Sequence, residues 1–345
     1  MNSDKLYRVL EQMHLPNGTY RASLSSHYSY VWIRDVCYIV LPFLDKQDSR
    51  YEKAYHALLD MLRNYEWKID IHRFQKPVYR YEYIHARYSL ELKELPVEWG
   101  HAQHDAIGLF LWGIGKGIAR GKRMLRDEKD REILQKLVEY LDCVRYWEDE
   151  DNGMWEEYSE LHASSVGACV AGLKAVKMIV DVPSGLIKKG EEALRFLLPR
   201  ESSTKETDLA LLSLIYPFQL VSRKTAREIL NRVTSRLERK YGCIRYEGDR
   251  YFNEGREAEW CFGFPWLGLC YAQLGEHQQF ETYVKKTASI IPENGEVPEL
   301  YIGGTDQPNE NTPLAWAVSM CILFLEVAES NHCMSNTDLL STSES

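Results

Sequence analysis

Apolar residues at helical spacing recur from one end of the 345-residue chain to the other, separated by short polar or Gly/Pro breaks. Helices joined by such short loops pack as antiparallel neighbours. No fixed-period self-similarity indicates a solenoid, so the pattern favours a closed double ring of helices. The periodicity predicts helices over residues 3–13, 35–44, 48–66, 102–119, 128–145, 161–180, 186–197, 206–216, 223–239, 258–273, 275–290 and 312–328.

Two long stretches interrupt this helical pattern. Residues 68–98 are rich in Tyr and alternate in places, which predicts a β-hairpin over one end of the ring. Residues 241–257 form a second aromatic and charged loop. Long loops inside a compact helical domain are usually functional, so we expect both at the rim of a site. The burial pattern stops after residue 328, which predicts a single domain over 1–328 and a disordered tail over 329–345.

Charge and cysteine usage exclude several classes of function. The net charge of −9 and the pI of about 5.7 argue against a basic surface for nucleic acid. The apolar stretches 36–44 and 321–327 are far shorter than the roughly 18 residues that a membrane span needs. The N-terminus has no apolar run typical of a signal peptide. The eight cysteines occur singly, without a CxxC pair, which is typical of buried free thiols in a reducing compartment and predicts a cytoplasmic location.

Four segments contain residues that indicate chemistry. In the first, Arg34 and Asp35 stand where an aromatic loop becomes an apolar helix. Asp35 either caps that helix or, with Arg34, binds the vicinal hydroxyls of a polyol over aromatic rings, for which the 22 Tyr and 9 Trp of the chain are suited. In the second, Trp99, His101 and Asp105 open another apolar helix. A His followed by an Asp resembles two metal ligands, but no third ligand is nearby, so we expect no metal site.

The other two segments each supply an acid. Trp155 is followed directly by Glu156 and Glu157. A carboxylic acid beside an indole ring has its pKa raised by desolvation, as a general acid at neutral pH requires, and the alternative is that both acids lie on the surface before a helix. Glu299 lies between Pro298 and Tyr301, an unusual setting for a merely solvated acid. The sequence leaves three nearby acids open as competitors, Glu293, Glu296 and Glu310.

Taken in order, these segments resemble glycoside hydrolase family 15, the glucoamylases, and the related N-terminal region of the phosphorylase kinase α and β subunits. The resemblance covers residues 25–325. HARY (85–88) is closer to the kinase subunits, whereas the last segment is also similar to bacterial glucoamylases. The matching segments are WIRD (32–35), WGHAQHDA (99–106), GMWEE (153–157), HASSVG (162–167), GCIRYEGDRY (242–251) and PELY…TPLAW (298–316).

The resemblance implies an all-α fold, an (α/α)6 barrel whose pocket is formed by loops at one end. It also implies release of β-glucose from the non-reducing ends of α-glucans with inversion and without a cofactor. By position, Glu156 would be the general acid and Glu299 the general base, and in such a site the two carboxyl groups stand about 6.5–9.5 Å apart to admit water. Glu157 would help to bind the second sugar. The residues implied for the first sugar are Arg34, Asp35 and Arg245, with Tyr28, Trp32 and Trp99 as aromatic walls.

Two further residues complete the expected site. Trp155 is expected to line the same pocket, and His101, which stands where glucoamylases commonly have an Arg, is expected at the second subsite. We therefore expect an inverting hydrolase acting on small α-glucosides such as malto- or isomalto-oligosaccharides, with no nucleic-acid or membrane partner. The alternative is a non-catalytic carbohydrate-binding regulatory module that resembles the kinase subunits. A third hypothesis is a barrel enzyme acting on trehalose or a modified sugar.

Overall fold

The structure is a computed structural model that describes residues 3–251 and 255–341, with side chains as far as residue 331. Over these residues, its main elements are twelve α-helices. They alternate along the chain between an inner and an outer position. The inner helices are α2 (Ile33–Ile39), α5 (His104–Ala119), α7 (Ala163–Val176), a 3₁₀ helix (Leu209–Leu214), α10 (Gly263–Leu274) and α12 (Ala315–Ser341). The outer helices are α1 (Asp4–Met13), α3 (Arg50–Asn64) with its continuation α4 (Glu66–His72), α6 (Glu128–Val144), α8 (Ser184–Leu197), α9 (Arg223–Arg236) and α11 (His277–Ile290).

The residue pattern of each helix decides its ring. The outer helix α9 buries only one stripe, Ala226, Ile229, Leu230 and Val233, at the i, i+3, i+4, i+7 spacing of an amphipathic helix. The inner helix α5 is apolar on all sides, and nearly all of its residues are buried. A helix with no polar face must be surrounded by other elements, so α5 belongs inside the ring.

The inner ring is closed. Each inner helix contacts the next one along the chain, from α2 through α5, α7, the 3₁₀ helix and α10 to α12, and α12 returns to contact α2. The outer helices pack on this ring, as α8 does on α7 and α11 on α10. This arrangement confirms the predicted all-α (α/α)6 barrel, because a solenoid would leave its first and last helices apart.

Helices α5 and α7 approach each other closely because glycine faces the partner backbone in both. A Cβ atom added at Gly108 would lie 2.3 Å from the carbonyl carbon of Ala168, and one added at Gly172 would lie 2.3 Å from the carbonyl oxygen of Gly108. Neither obstacle is a flexible side chain. The spacing of this helix pair therefore requires the absence of a side chain at both positions.

We expect Gly108→Ala to lower the free energy of unfolding by about 1–3 kcal/mol, because the added methyl group forces α5 and α7 apart. Gly185→Ala is the matched control. Gly185 is exposed in the first turn of α8, no atom lies within 4 Å of its added Cβ, and alanine favours helix there. Thermal unfolding checks both variants, and equal melting temperatures for Gly108→Ala and wild type would contradict the close-packing argument.

The β-hairpin predicted over 68–98 is wrong. The segment begins inside α4, continues through a 3₁₀ turn at Arg80–Glu82, and contributes only the two-residue strand β2 (Arg87–Tyr88). This strand pairs antiparallel with β1 (Val31–Trp32), far away in sequence. The alternation of tyrosines came from a short turn with exposed rings, which mimics the period of a strand. A second ribbon pairs β3 (Ala258–Trp260) with β4 (Leu300–Ile302).

Two other sequence predictions differ from the structure in their boundaries. The helix expected over 206–216 is a shorter 3₁₀ helix that begins after Asp208, whose carboxylate accepts a hydrogen bond from the Ala210 amide. The last helix continues past residue 328, where the domain was predicted to end, as far as Ser341. The described cysteines are all free thiols, and none of the described helices has both the length and the apolarity that crossing a membrane requires.

Candidate active site

One cavity of about 250 Å³ brings together side chains from five distant parts of the sequence. Of the residues that the sequence analysis selected, all but His101 line it. They are Tyr28, Trp32, Arg34, Asp35, Trp99, Trp155, Glu156, Glu157, Arg245 and Glu299. The sequence analysis did not select five further lining residues, Met154, Tyr251, Trp260, Leu314 and Trp316.

Glu299 is a fully buried carboxylate immediately before β4. Its Oε2 atom accepts hydrogen bonds from the side-chain amides of Asn309 at 2.5 Å and Asn311 at 2.9 Å. Its Oε1 atom accepts a longer bond of 3.3 Å from the Tyr251 hydroxyl. Burial raises the pKa of Glu299 even though the two amides favour the charged form. The three competing acids of this region do not line the cavity, so Glu299 is the acid of this segment that reaches it.

Glu156 is held on both of its oxygens. Oε1 accepts from Arg34 Nη2 at 3.0 Å, and Oε2 accepts from Trp99 Nε1 at 2.7 Å. The expected partner, Trp155, instead donates its indole N–H to Asp208 at 2.8 Å. Glu156 has a φ of 61°, in the left-handed region, so the chain turns sharply between the two adjacent side chains. The indole beside the acid is therefore that of Trp99, and its contact is a hydrogen bond.

Arg34 and Asp35 differ in their contacts although they are adjacent on α2. The buried Arg34 guanidinium donates from Nη1 to Gln103 at 2.9 Å and to Asp105 at 2.8 Å, as well as to Glu156 from Nη2. Asp35 does not cap α2 and accepts no hydrogen bond from the described residues. Burial raises the pKa of Asp35 to about 7, because the opposing effect of Arg34 is smaller and nearby carboxylates add to the shift. An acid in this state can both donate to and accept from a ligand.

The raised pKa of Asp35 predicts a pH-dependent stability. The folded protein keeps a proton on Asp35 that the unfolded chain releases between about pH 4 and pH 7, so this group destabilises the fold as the pH rises through that range. Between about pH 5 and pH 8, Asp35→Asn should lose less free energy of unfolding than wild type, by on the order of 2 kcal/mol. Denaturant titrations at the two pH values test this. The exposed Asp306→Asn should follow wild type, and parallel behaviour of Asp35→Asn would refute the assignment.

Arg245 organises the opposite side of the cavity. Its guanidinium donates to Asp249 from Nε at 2.8 Å and to Glu157 from Nη2 at 2.7 Å. Glu157 also accepts from the Tyr246 hydroxyl at 2.5 Å and lies 3.3 Å from Lys205 Nζ. Glu157 is therefore fixed beside Glu156 by three donors, although its side chain remains 23% exposed.

Aromatic rings form the remaining walls. The rings of Tyr28 and Trp32 stack with centroids 5.4 Å apart, and the Tyr28 hydroxyl lies 2.5 Å from that of Tyr251. The guanidinium of Arg87 lies 3.6 Å from the centre of the Trp99 ring. Tyr251 and Trp316 fall inside the motifs quoted above, but their chemistry alone gave no reason to select them.

His101 does not line the cavity. Its ring is buried and stacks on His85 with centroids 3.6 Å apart, and burial lowers the pKa of His101 to about 3. The His101 ring is enclosed by protein and is not among the side chains that line the cavity, so its position does not support the expected place at a second subsite. No group of His, Cys, Asp or Glu among the described residues is arranged to hold a metal ion.

Comparison with known sequences gives a consistent family match. The sequence model of glycosyl hydrolases family 15 matches residues 5–322. A probable phosphorylase b kinase regulatory subunit alpha from Drosophila melanogaster is 27% identical over 375 residues, which cover 86% of this chain and 30% of that protein. The chain thus spans less than a third of the length of the curated relatives it matches.

Solved structures share the fold at low sequence identity. A glycosidase variant in complex with glucose has a TM-score of 0.80 and 20% identity, and the match covers 94% of this chain and 95% of that one. The glucoamylase from Saccharomycopsis fibuligera has a TM-score of 0.71 and 13% identity, with 94% and 93% covered. At such identities the similarity concerns the fold.

Proposed function

Because this chain belongs to glycosyl hydrolase family 15, we propose that it hydrolyses α-glucosidic bonds with inversion and releases glucose from the non-reducing ends of small α-glucosides or malto- and isomalto-oligosaccharides. The observation that supports this proposal is that two separately held carboxylates, Glu156 and Glu299, line one cavity. A pair of carboxylic acids flanking a bound glycoside is the machinery of most glycoside hydrolases.

The cavity suits a terminal sugar. Its volume of about 250 Å³ lies just below the range of sites for drug-sized ligands, which begins at roughly 300 Å³, so it suits a single sugar ring. Asp35, free of protein hydrogen bonds among the described residues, would bind hydroxyl groups of that ring. Trp32 and Trp99 would cover its apolar faces. We infer a cytoplasmic setting, in which the free thiols of the described cysteines stay reduced.

Glu299 is suited to act as the general base. The two asparagine amides hold Oε2, so Oε1 is left facing Tyr251 and retains lone pairs for a water molecule. A buried carboxylate with a raised pKa accepts a proton more readily than one in water. The water that Glu299 deprotonates would attack the anomeric carbon from the side opposite the leaving group, which produces inversion.

Glu156 is suited to act as the general acid. It would donate its proton to the glycosidic oxygen as the bond to the leaving sugar breaks. The carboxylate that remains would be stabilised at once by Arg34 and Trp99, whose hydrogen bonds reach both of its oxygens. Glu157 lies next to Glu156 in the chain and would bind the leaving sugar. Arg245, which donates to Glu157, would contact the sugar in the inner cavity.

The proposal is tested by incubating the purified protein with a panel of α-linked glucose disaccharides and oligosaccharides. Released glucose should appear first as the β-anomer, which ¹H NMR at short times detects. Retention of configuration would rule out the assigned mechanism. No glucose release from any member of the panel would leave the hydrolase proposal without support.

A second candidate function rests on the sequence relatives. The curated proteins that match are named regulatory subunits of phosphorylase b kinase, and this chain matches part of their length. The same cavity would then bind a sugar without cleaving it. Isothermal titration with glucose and maltose, together with the hydrolysis panel, separates the two functions, because a regulatory module binds sugar and releases none.

A further inference from the structure

Tyr79 and Tyr81 form a pair of stacked rings on the protein surface. Their ring centroids lie 5.6 Å apart and their planes differ by only 2°. The two residues are 59% and 64% exposed, respectively. Exposed aromatic area of this kind is unfavourable in water and is commonly kept where it binds a ligand. This Tyr79–Tyr81 pair is not part of the cavity described above.

The backbone beneath the pair is fixed by hydrogen bonds to the side chains of Glu82 and Lys68. The Glu82 carboxylate accepts hydrogen bonds from the amides of Val78 at 2.7 Å and Tyr79 at 3.0 Å. On the other side, the buried Lys68 amine donates to the carbonyl oxygen of Tyr81 at 2.9 Å and forms an ion pair with Glu94. The backbone that carries the two rings is thus held in place before any ligand arrives, which reduces the entropy that binding would cost.

Tyr79 and Tyr81 line neither cavity themselves, but the residue between them reaches a cavity that adjoins the proposed active site. Arg80, between the two tyrosines, lines a second and wider cavity of about 1410 Å³. Glu156 and Glu157 line both this outer cavity and the inner one, so the outer cavity opens directly onto the proposed general acid. Tyr158, which is 84% exposed, also lines it. A leaving sugar at Glu156 would therefore extend along this cavity toward Arg80.

We propose that the Tyr79–Tyr81 pair binds the distal part of a neutral α-glucan chain whose non-reducing end occupies the inner cavity. This inference rests on the proposed function and extends its substrate class to longer chains. Sugar rings have apolar faces that stack on aromatic rings, and Arg80, which makes no ion pair with the described residues, can donate to their hydroxyl groups. Carboxylates outnumber cationic side chains in the outer cavity, which disfavours a phosphorylated chain.

The experiment measures binding of amylose and of maltose by calorimetry, in a Glu299→Gln background so that the ligand is not consumed. Replacing both tyrosines with Ser should weaken amylose binding by about tenfold, or roughly 1.4 kcal/mol, and weaken maltose binding less. The Tyr79→Phe, Tyr81→Phe double variant keeps the rings and should retain amylose affinity. Phe196→Ser removes an 88% exposed ring on α8 that lines neither cavity, and it should have no effect.

The outcomes separate this inference from the proposed function. Equal amylose affinity in the double Ser variant and its parent would overturn the inference and point to another partner for the pair, such as a protein. The same conclusion follows if the parent binds amylose no more tightly than maltose. If wild type cleaves no α-glucan but the double Ser variant still loses amylose binding, the proposed hydrolysis fails and the glucan site stands.

Discussion

Replacing Glu299 with Gln is expected to lower kcat by about 10²–10⁴-fold on every substrate, because the amide cannot take a proton from the attacking water. The fold should be unaffected, since the Gln carbonyl can still accept from Asn309 and Asn311. The loss should be equally large for maltose and for an aryl α-glucoside with a good leaving group, because neither substrate replaces the base. Initial rates at saturating substrate measure it.

The matched control for this experiment is Glu293→Gln, an exposed acid in the same segment that does not line the cavity. It should keep wild-type kcat. The acidic limb of the wild-type pH profile is assigned to Glu299 and should disappear in Glu299→Gln. Wild-type activity in Glu299→Gln would show that Glu299 is not the general base and that another acid of the cavity has this role.

Glu156→Gln is expected to show a loss that depends on the substrate. With maltose, kcat should again fall by about 10²–10⁴-fold, because the leaving sugar is a poor leaving group without protonation. With an aryl α-glucoside whose phenol is strongly acidic, most of the activity should return, since that leaving group departs as an anion. The Gln side chain has one acceptor oxygen instead of two, so one of the hydrogen bonds from Arg34 and Trp99 is weakened or lost. The thermal stability of the variant should therefore be measured together with its kinetics.

The comparison between the two variants is the decisive control. Rescue by a good leaving group in Glu156→Gln but not in Glu299→Gln assigns acid and base as proposed. The opposite pattern would exchange the two roles. Full activity of Glu156→Gln on maltose would exclude it as the acid.

The fold followed from sequence because the two rings have different residue patterns. An outer helix such as α9 has one apolar stripe, and an inner helix such as α5 is apolar throughout, and both signals are local. The hairpin predicted over 68–98 failed because its short alternation has no local signal that separates a strand from an irregular turn. That segment is fixed by contacts beyond its local pattern, namely the bond from the Lys68 amine to Tyr81, 13 residues further on, and the pairing of Arg87 with Trp32.

Most of the predicted acids, and Arg34, were recognisable because they stood in unusual aromatic settings, whereas Arg245 was expected only from the family resemblance. Tyr251, Trp260 and Trp316 were missed because aromatic residues are equally common in a helical core, and only the fold brings these three to the cavity. The sequence also could not show that Trp99, and not Trp155, donates its indole N–H to Glu156. That contact depends on the backbone dihedral angle φ at Glu156.

That dihedral angle has a consequence for the protein's evolution. At a φ of 61° a glutamate side chain is disfavoured, by roughly 1 kcal/mol, relative to glycine or asparagine. The backbone alone would therefore favour another residue at this position, and we infer that Glu156 is kept for the proposed chemistry. A laboratory screen that selects only for heat resistance would favour residues with a lower backbone cost at this position. Lineages that no longer cleave sugar should drift at this position sooner than at Glu299, whose backbone imposes no such cost.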